Sequence, residues 1–274
     1  MVTGPGGAFV DATVGAGGHA EAILRAAGPE ARLLGVDADA AALATACKRL
    51  SYLPNKIVLV HGNFRQLAGI AARAGFTRVR GVLFDLGLSS MQLACPERGF
   101  SYWREGPLDM RFDTSSPMTA DALVNTLNQP QLARLIRQQG EERRAEVIAR
   151  AILRARPVRS AGHLARLIEQ VAPRTGRLHP ATRTFMALRR VVNREAEELA
   201  ALLGCAPELA AGGGRLVVIS FMSLEDRQVK QAFQDWIRQG RAIRLLKHVV
   251  RPSAEEVRNN PAARSARLRA IEFR

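Results

Sequence analysis

Apolar residues in the first third of the chain gather in short runs, several ending on a carboxylate, with helical spacing between them. Residues 9–14, 33–37, 57–60 and 79–85 read as strands, and 38–50 and 66–74 as helices. Strands alternating with helices predict an α/β fold with a mostly parallel sheet. Later, Gly212-Gly213-Gly214 leads into a fifth strand over 215–221, and Ser223 with Asp226 resembles a capping box opening a helix to Ile237. Residues 244–250 and 268–273 are expected to pair as an antiparallel hairpin at the sheet edge.

Roughly 125 residues separate the fourth and fifth strands, far more than an ordinary crossover needs. From 119 to 173 the pattern is helical: 122–126, 131–138, 141–156 and 162–171, with Asn128 and Ser160 as helix starts. A longer helix over 181–203 is expected to return to the main sheet. The expected organisation is a Rossmann-like sheet domain formed by 1–93 and 181–274, interrupted by a small all-α domain over 94–180. No internal repeat or low-complexity tract is present.

Composition narrows the class. The 274 residues are 47% hydrophobic and 24% charged, which is globular. No apolar run is long enough to span a bilayer, and the start does not resemble a signal peptide, so no membrane partner is expected. Cys47, Cys95 and Cys205 are widely spaced, against a disulfide framework or a zinc site and in favour of a reducing compartment. The charge is unusual: 40 Lys plus Arg against 25 Asp plus Glu, a net +15. A small-metabolite enzyme needs no such field, whereas a polyanion binder gains by releasing counterions from phosphates.

Chemistry begins at Asp11-Ala12-Thr13-Val14-Gly15-Ala16-Gly17-Gly18-His19, between a strand and a helix. Glycines there admit close backbone approach to a ligand, and the helix start offers unpaired N–H groups. The spacing also satisfies a loose dinucleotide pattern. Asp37, closing the second strand, suits a ribose diol, which NAD and S-adenosylmethionine (SAM) both carry. Asp11 separates them. An anion beside a pyrophosphate is repelled, whereas beside the sulfonium and ammonium of SAM it is favoured.

Ligands of open α/β sheets lie at the carboxyl ends of the strands, so Asp11, Asp37, Phe64, Asp85 and Phe221 are expected on that rim. Phe64 could pack on an adenine ring, or be a core aromatic. Asp85, before Leu86-Gly87-Leu88, would face the cofactor's reactive end, or be a buried cap. Only 5% of the chain is aromatic, yet Phe100, Tyr102, Trp103 and Phe112 interleave with Arg98, Arg104 and Arg111. That mixture suits an extruded base with phosphates beside it. A second basic cluster runs through Arg174, Arg177, His179, Arg183, Arg189, Arg190 and Arg194, with Arg183, Arg190 and Arg194 on one helical face. A third comprises Arg258, Arg264, Arg267 and Arg269. His19 and His179 are candidate bases, and Cys95 is the candidate nucleophile for a cytosine-C5 methyltransferase.

Taken together, these stretches resemble the bacterial small-subunit ribosomal RNA cytosine-N4 methyltransferase family (RsmH, also called MraW) and its mitochondrial relatives. The resemblance rests on residues 11–19, 85–93, 98–101, 106–111, 179–185 with Val192-Asn193, 213–216, 223–227, and Asn260-Pro261 with 264–268, in family order. It implies a SAM-dependent methyltransferase acting on a decoding-centre cytosine, cytoplasmic or in the mitochondrial matrix, monomeric or homodimeric. The rRNA would be met within an assembled 30S-type particle. A non-catalytic rRNA-binding assembly factor is the alternative to an enzyme. Cofactor contacts carry over to Gly17, Gly18, His19, Asp37, Phe64, Asp85 and Gln92. Asp85 is the expected catalytic acceptor, and the helical insert the expected RNA-recognition part. Arg98, Phe100, Tyr102, Trp103, Arg111, His179, Arg183 and Asn193 are the expected substrate contacts. The chain departs from the family pattern in starting almost at its first strand, without the H-x-P-V-L segment. Met222 also stands in place of a histidine and Ala94 in place of an aspartate.

Overall fold

The computed structural model describes residues 1–174 and 178–274, which divide into two compact units, 1–87 with 196–274 and 88–195. The first is an α/β sheet unit. Its leading half runs β1 (Gly7–Asp11), α1 (Gly18–Ala27), β2 (Ala31–Asp37), α2 (Ala40–Leu50), β3 (Lys56–His61), α3 (Leu67–Arg73) and β4 (Val79–Asp85). The second unit carries α4 (Ser90–Ala94), α5 (Ala120–Thr126), α6 (Gln129–Gly140), α7 (Ala145–Arg154), α8 (Ala161–Val171) and α9 (Thr182–Val192). The chain then returns through α10 (Glu195–Leu209), β5 (Ala210–Ser220), α11 (Ser223–Arg238), β6 (Ala242–Arg244), α12 (Ala254–Asn259) and β7 (Arg267–Phe273).

The seven strands lie in the order β3-β2-β1-β4-β5-β7-β6, parallel except where β7 runs antiparallel to β5 and β6. Alternation along the strands feeds two cores. Phe9, Leu33, Leu83 and Val217 join the apolar faces of α1 and α2, while Val10, Leu34, Val82, Phe84 and Val218 join those of α3, α10 and α11. Because β2 and β4 leave β1 on opposite sides, the strand order reverses between β1 and β4. Their carboxyl ends, Asp11 and Asp85, open on a topological switch point.

Four expectations change. The helix expected over 181–203 is two helices, broken at Asn193 and at Arg194, whose φ is +50°. Its first half, α9, belongs to the helical unit and packs on α6. Gly140 permits that packing, since a Cβ there would sit 2.3 Å from the Arg183 carbonyl oxygen. The helical unit therefore runs from 88 to 195 rather than 94 to 180.

The edge strands are not one hairpin. β6 is three residues long, α12 intervenes, and Val250 makes a lone bridge to Leu268. The cap of α11 also lies one residue earlier than Ser223. Glu225 accepts the backbone N–H groups of Phe221 (3.2 Å) and Met222 (3.1 Å). Asn128 and Ser160 do accept the N–H groups of Gln131 and His163 at the starts of α6 and α8.

Candidate active site

The site in the sheet unit grows from the turn after β1. Gly15 and Gly17 have positive φ (51° and 85°), and Gly17 begins α1 from the left-handed region, where a side chain would be strained. A Cβ on Gly17 would also meet Leu50 at 3.3 Å and Ala46 at 3.4 Å. Asp37 holds this turn from the neighbouring strand. Its Oδ2 accepts the Gly15 N–H (2.8 Å) and its Oδ1 the Asp39 N–H (2.9 Å). Burial raises the Asp37 pKa, with those backbone hydrogen bonds opposing.

Four more groups converge at the switch point. Asp11 is fully buried; its Oδ1 accepts the Thr13 N–H (3.2 Å), while its Oδ2 has no partner. The Thr13 hydroxyl accepts the Asp85 N–H at 2.7 Å, tying β4 to the turn. Asp85 Oδ2 lies 3.4 Å from His19 Nε2, while its Oδ1 is buried without a partner. Desolvation pushes the Asp11 carboxyl up to about 7, against the Thr13 hydrogen bond. The His19 pKa is also raised, chiefly by its hydrogen bond to Asp85.

Two orphaned carboxylate oxygens in a buried cradle are acceptors for a cation. At an effective dielectric near 20, unit charges 4 Å apart interact by about 4 kcal/mol. The same interaction that attracts an ammonium or sulfonium repels a pyrophosphate by a similar amount. The donor set therefore fits SAM and opposes a dinucleotide.

Beyond β3, the turn at 64–66 carries Phe64, half-buried against the core, with its ring centroid 6.0 Å from that of Phe84. Asn63 Oδ1 beside it is a buried acceptor without a partner. Arg65 donates its backbone N–H (3.1 Å) and its Nε (2.5 Å) to Glu198 of α10. Thr13, Asn63 and Glu198 were not singled out by sequence reasoning. Thr13 lies inside the glycine-turn stretch and Asn63 directly precedes Phe64, whereas Glu198 carried no local signal.

In the helical unit, several expected substrate contacts are structural. Phe100 is 5% exposed and stacks on Phe112 in the core. Arg98 donates to the carbonyls of Arg111 (2.8 Å) and Phe112 (2.9 Å). Arg111 is clamped by Asp109 and donates to the carbonyls of Thr114 and Ser116. Asn193 donates to the carbonyls of Met110 (2.7 Å) and Arg189 (2.9 Å) and accepts the Phe112 N–H (2.6 Å). Its amide holds a loop, with both N–H donors spent on backbone carbonyls. Gln92 likewise accepts the Ser89 N–H (3.0 Å) in the cap of α4.

Arg189 and Arg190 are buried, the former paired with Glu195, so Arg183, Arg190 and Arg194 do not form one solvated face. Arg183 is exposed and donates to the Glu141 carbonyl. Arg177 lies outside the described residues. In the third cluster Arg267 and Arg269 pair with Asp226.

Tyr102, Trp103 and His179 form a different arrangement. The Tyr102 and His179 rings stack at 4.4 Å and 12°, Phe185 meets Tyr102 edge-on, and Trp103 packs against both Tyr102 and His179. His179 Nδ1 accepts the Ala181 N–H, which leaves Nε2 to donate to Glu169 (2.7 Å), so neither nitrogen is a spare base. Trp103 remains 73% exposed.

A protein-family model described as the MraW methylase family matches residues 1–274. The chain belongs to this family. Ribosomal RNA small subunit methyltransferase H of Solibacter usitatus is 50% identical over 270 residues, covering 98% of this chain and 94% of that protein. Its counterpart in Thermomicrobium roseum is 50% identical over 289 residues, covering 97% and 88%. That of Syntrophobacter fumaroxidans is 46% identical over 288 residues, covering 97% and 90%.

In this member of the MraW methylase family Met222 is the 7%-exposed residue preceding α11, its N–H held by Glu225. Cys95 donates its thiol to Glu97 (3.2 Å). An adjacent carboxylate is the reverse of the electropositive setting that activates a nucleophilic cysteine, which counts against C5 chemistry. Among the described residues no cluster of three His, Cys, Asp or Glu could hold a metal, and no helix is long and apolar enough to cross a membrane.

Proposed function

We propose that this protein transfers a methyl group from SAM to the exocyclic N4 of a cytosine in small-subunit ribosomal RNA. The observation that carries the reading is the pair of buried, unpartnered carboxylate oxygens, Asp11 Oδ2 and Asp85 Oδ1, beside a glycine turn at the strand-order switch. The names of the curated relatives support the ribosomal substrate, and the net charge of +15 supports a polyanionic partner. The cytosine, its N4 and the assembled 30S-type particle come from the family resemblance. These relatives being bacterial, the cytoplasm is the compartment in which the particle would be met.

Gly17, Gly18 and His19 would line the cofactor, Asp37 its ribose and Phe64 its adenine, with Asp11 and Asp85 supplying anions for its cationic end. When bound, SAM supplies an electrophilic methyl group. The protein's part is to orient a poor nucleophile, since the N4 lone pair is delocalised into the ring, and to accept a hydrogen. Asp85 Oδ1 is the acceptor. His19 and Thr13 hold the other end of that residue, so its free oxygen keeps one direction. On the helical unit, Trp103 with Tyr102 and His179 offers a stacking face for an unpaired base.

Small-subunit particles lacking the modification, incubated with the protein and SAM, should gain N4-methylcytidine, detected by mass spectrometry of nucleosides. Particles that gain no methyl group would overturn the reading, and 5-methylcytidine would shift it to the C5 alternative.

A further inference from the structure

We propose that Glu198 is a positioning residue for the cofactor's adenine, acting through Arg65 on the turn that carries Phe64. The inference rests on the reading of Phe64 as the adenine contact. One carboxylate, on a residue 7% exposed, takes two hydrogen bonds from Arg65: the backbone N–H on Oε2 and the guanidinium Nε on Oε1. Main chain and side chain of the residue next to Phe64 are thus held by one group 133 positions away. Glu197 adds a weaker contact, 3.8 Å from Arg65 Nη1. Leu199, following Glu198 on α10, belongs to the core against which Phe64 packs, so the anchor has a rigid base.

A buried ion pair adds little net stability over apolar packing of the same volume, but it fixes a direction. Here the direction fixed is that of the turn 64–66, whose aromatic ring and the orphaned acceptor Asn63 Oδ1 match an adenine face and its exocyclic amine.

The test is a double-mutant cycle on the full chain, titrating S-adenosylhomocysteine and adenosine by calorimetry. Glu198→Gln should weaken both by about tenfold, as loss of a positioning partner does. Phe64→Ala should weaken both as well, and Glu198→Gln in the Phe64→Ala background should cost little more. Arg65→Ala, which keeps the backbone N–H, should give an intermediate loss and serves if Glu198→Gln does not fold. Full additivity of the two losses, or unchanged binding by Glu198→Gln, would overturn the proposal. Unchanged binding by Phe64→Ala would instead overturn the adenine assignment beneath it, and the proposal with it.

Discussion

His19 Nε2 lies 3.4 Å from Asp85 Oδ2, joining the helix after the glycine turn to the end of β4. That hydrogen bond is the leading cause of the raised His19 pKa. The protonated imidazole therefore contributes stability that is fully present below its ordinary value of 6.5 and is lost as pH rises through the higher folded value. In a histidine NMR titration His19 should have a midpoint above 6.5, and Asp85→Asn should move it back. A midpoint indifferent to Asp85→Asn would dissolve the pairing.

Asp11 titrates with the same sign, over a lower pH window. Its folded pKa of about 7 exceeds the ordinary 3.8, so the native state holds an extra proton between those values. Stability then falls with pH across that window and levels off above it. Asp11→Asn keeps the acceptor used by the Thr13 N–H. It should raise the unfolding temperature at pH 8, by up to about 4 kcal/mol in stability, and flatten the pH dependence. The same change should weaken SAM binding about tenfold, since an anion has been removed beside a cation. Thermal unfolding across pH, paired with calorimetry, checks both halves; a variant no more stable than wild type at pH 8 would contradict the first.

Asp85→Asn should fold and bind SAM about tenfold more weakly, as an anion beside its cationic end is lost. At saturating SAM it should lose about a hundredfold or more in single-turnover methylation, the scale of removing a general base. Full turnover in such a variant would move the hydrogen acceptor elsewhere.

Trp103 and Phe100, three residues apart, should fail in different ways. Trp103→Ala removes an exposed ring and should raise the KM for small-subunit particles about tenfold, the scale of one base–aromatic stack, leaving SAM affinity alone. Phe100→Ala empties a core position and should cost about 3–5 kcal/mol of stability. Chemical denaturation and particle-dependent kinetics separate the two. A Trp103→Ala enzyme with wild-type KM would take the platform out of substrate binding.

Asn193→Ala should behave as a loop defect. It strands the Phe112 N–H and the Met110 carbonyl, at about 1–3 kcal/mol for each buried group left unsatisfied. Proteolysis at 110–118 should quicken before any change in SAM affinity; an unchanged cleavage rate would argue against the staple.

The parallel strands of the sheet and their acidic ends were legible in the sequence, because a short apolar run and a terminal carboxylate are local features. Helix starts at Asn128 and Ser160 were legible for the same reason, as each cap reaches only three residues ahead. The boundary of the helical unit was not. The break at Arg194 is a single residue in a left-handed conformation within an otherwise helical pattern, and the packing of α9 on α6 depends on the gap left by Gly140.

Arginine-rich stretches misled for a physical reason. Residue type says that a guanidinium is available, but its partner decides whether it remains so. Arg98, Arg111, Arg189 and Arg190 bond within their own unit, while Arg183 and Trp103 reach the surface.

By itself, then, the sequence determined the alternation of strands and helices, the glycine turn, and the carboxylates that end β1, β2 and β4, all encoded within a few neighbouring residues. Tertiary structure alone decided that Asp11 and Asp85 each keep one oxygen without a partner, that Glu198 reaches Arg65, and that Asn193 belongs to a loop 81 residues earlier. Burial and the pairing of charges are properties of what the fold brings together, and those partners lie far apart along the chain.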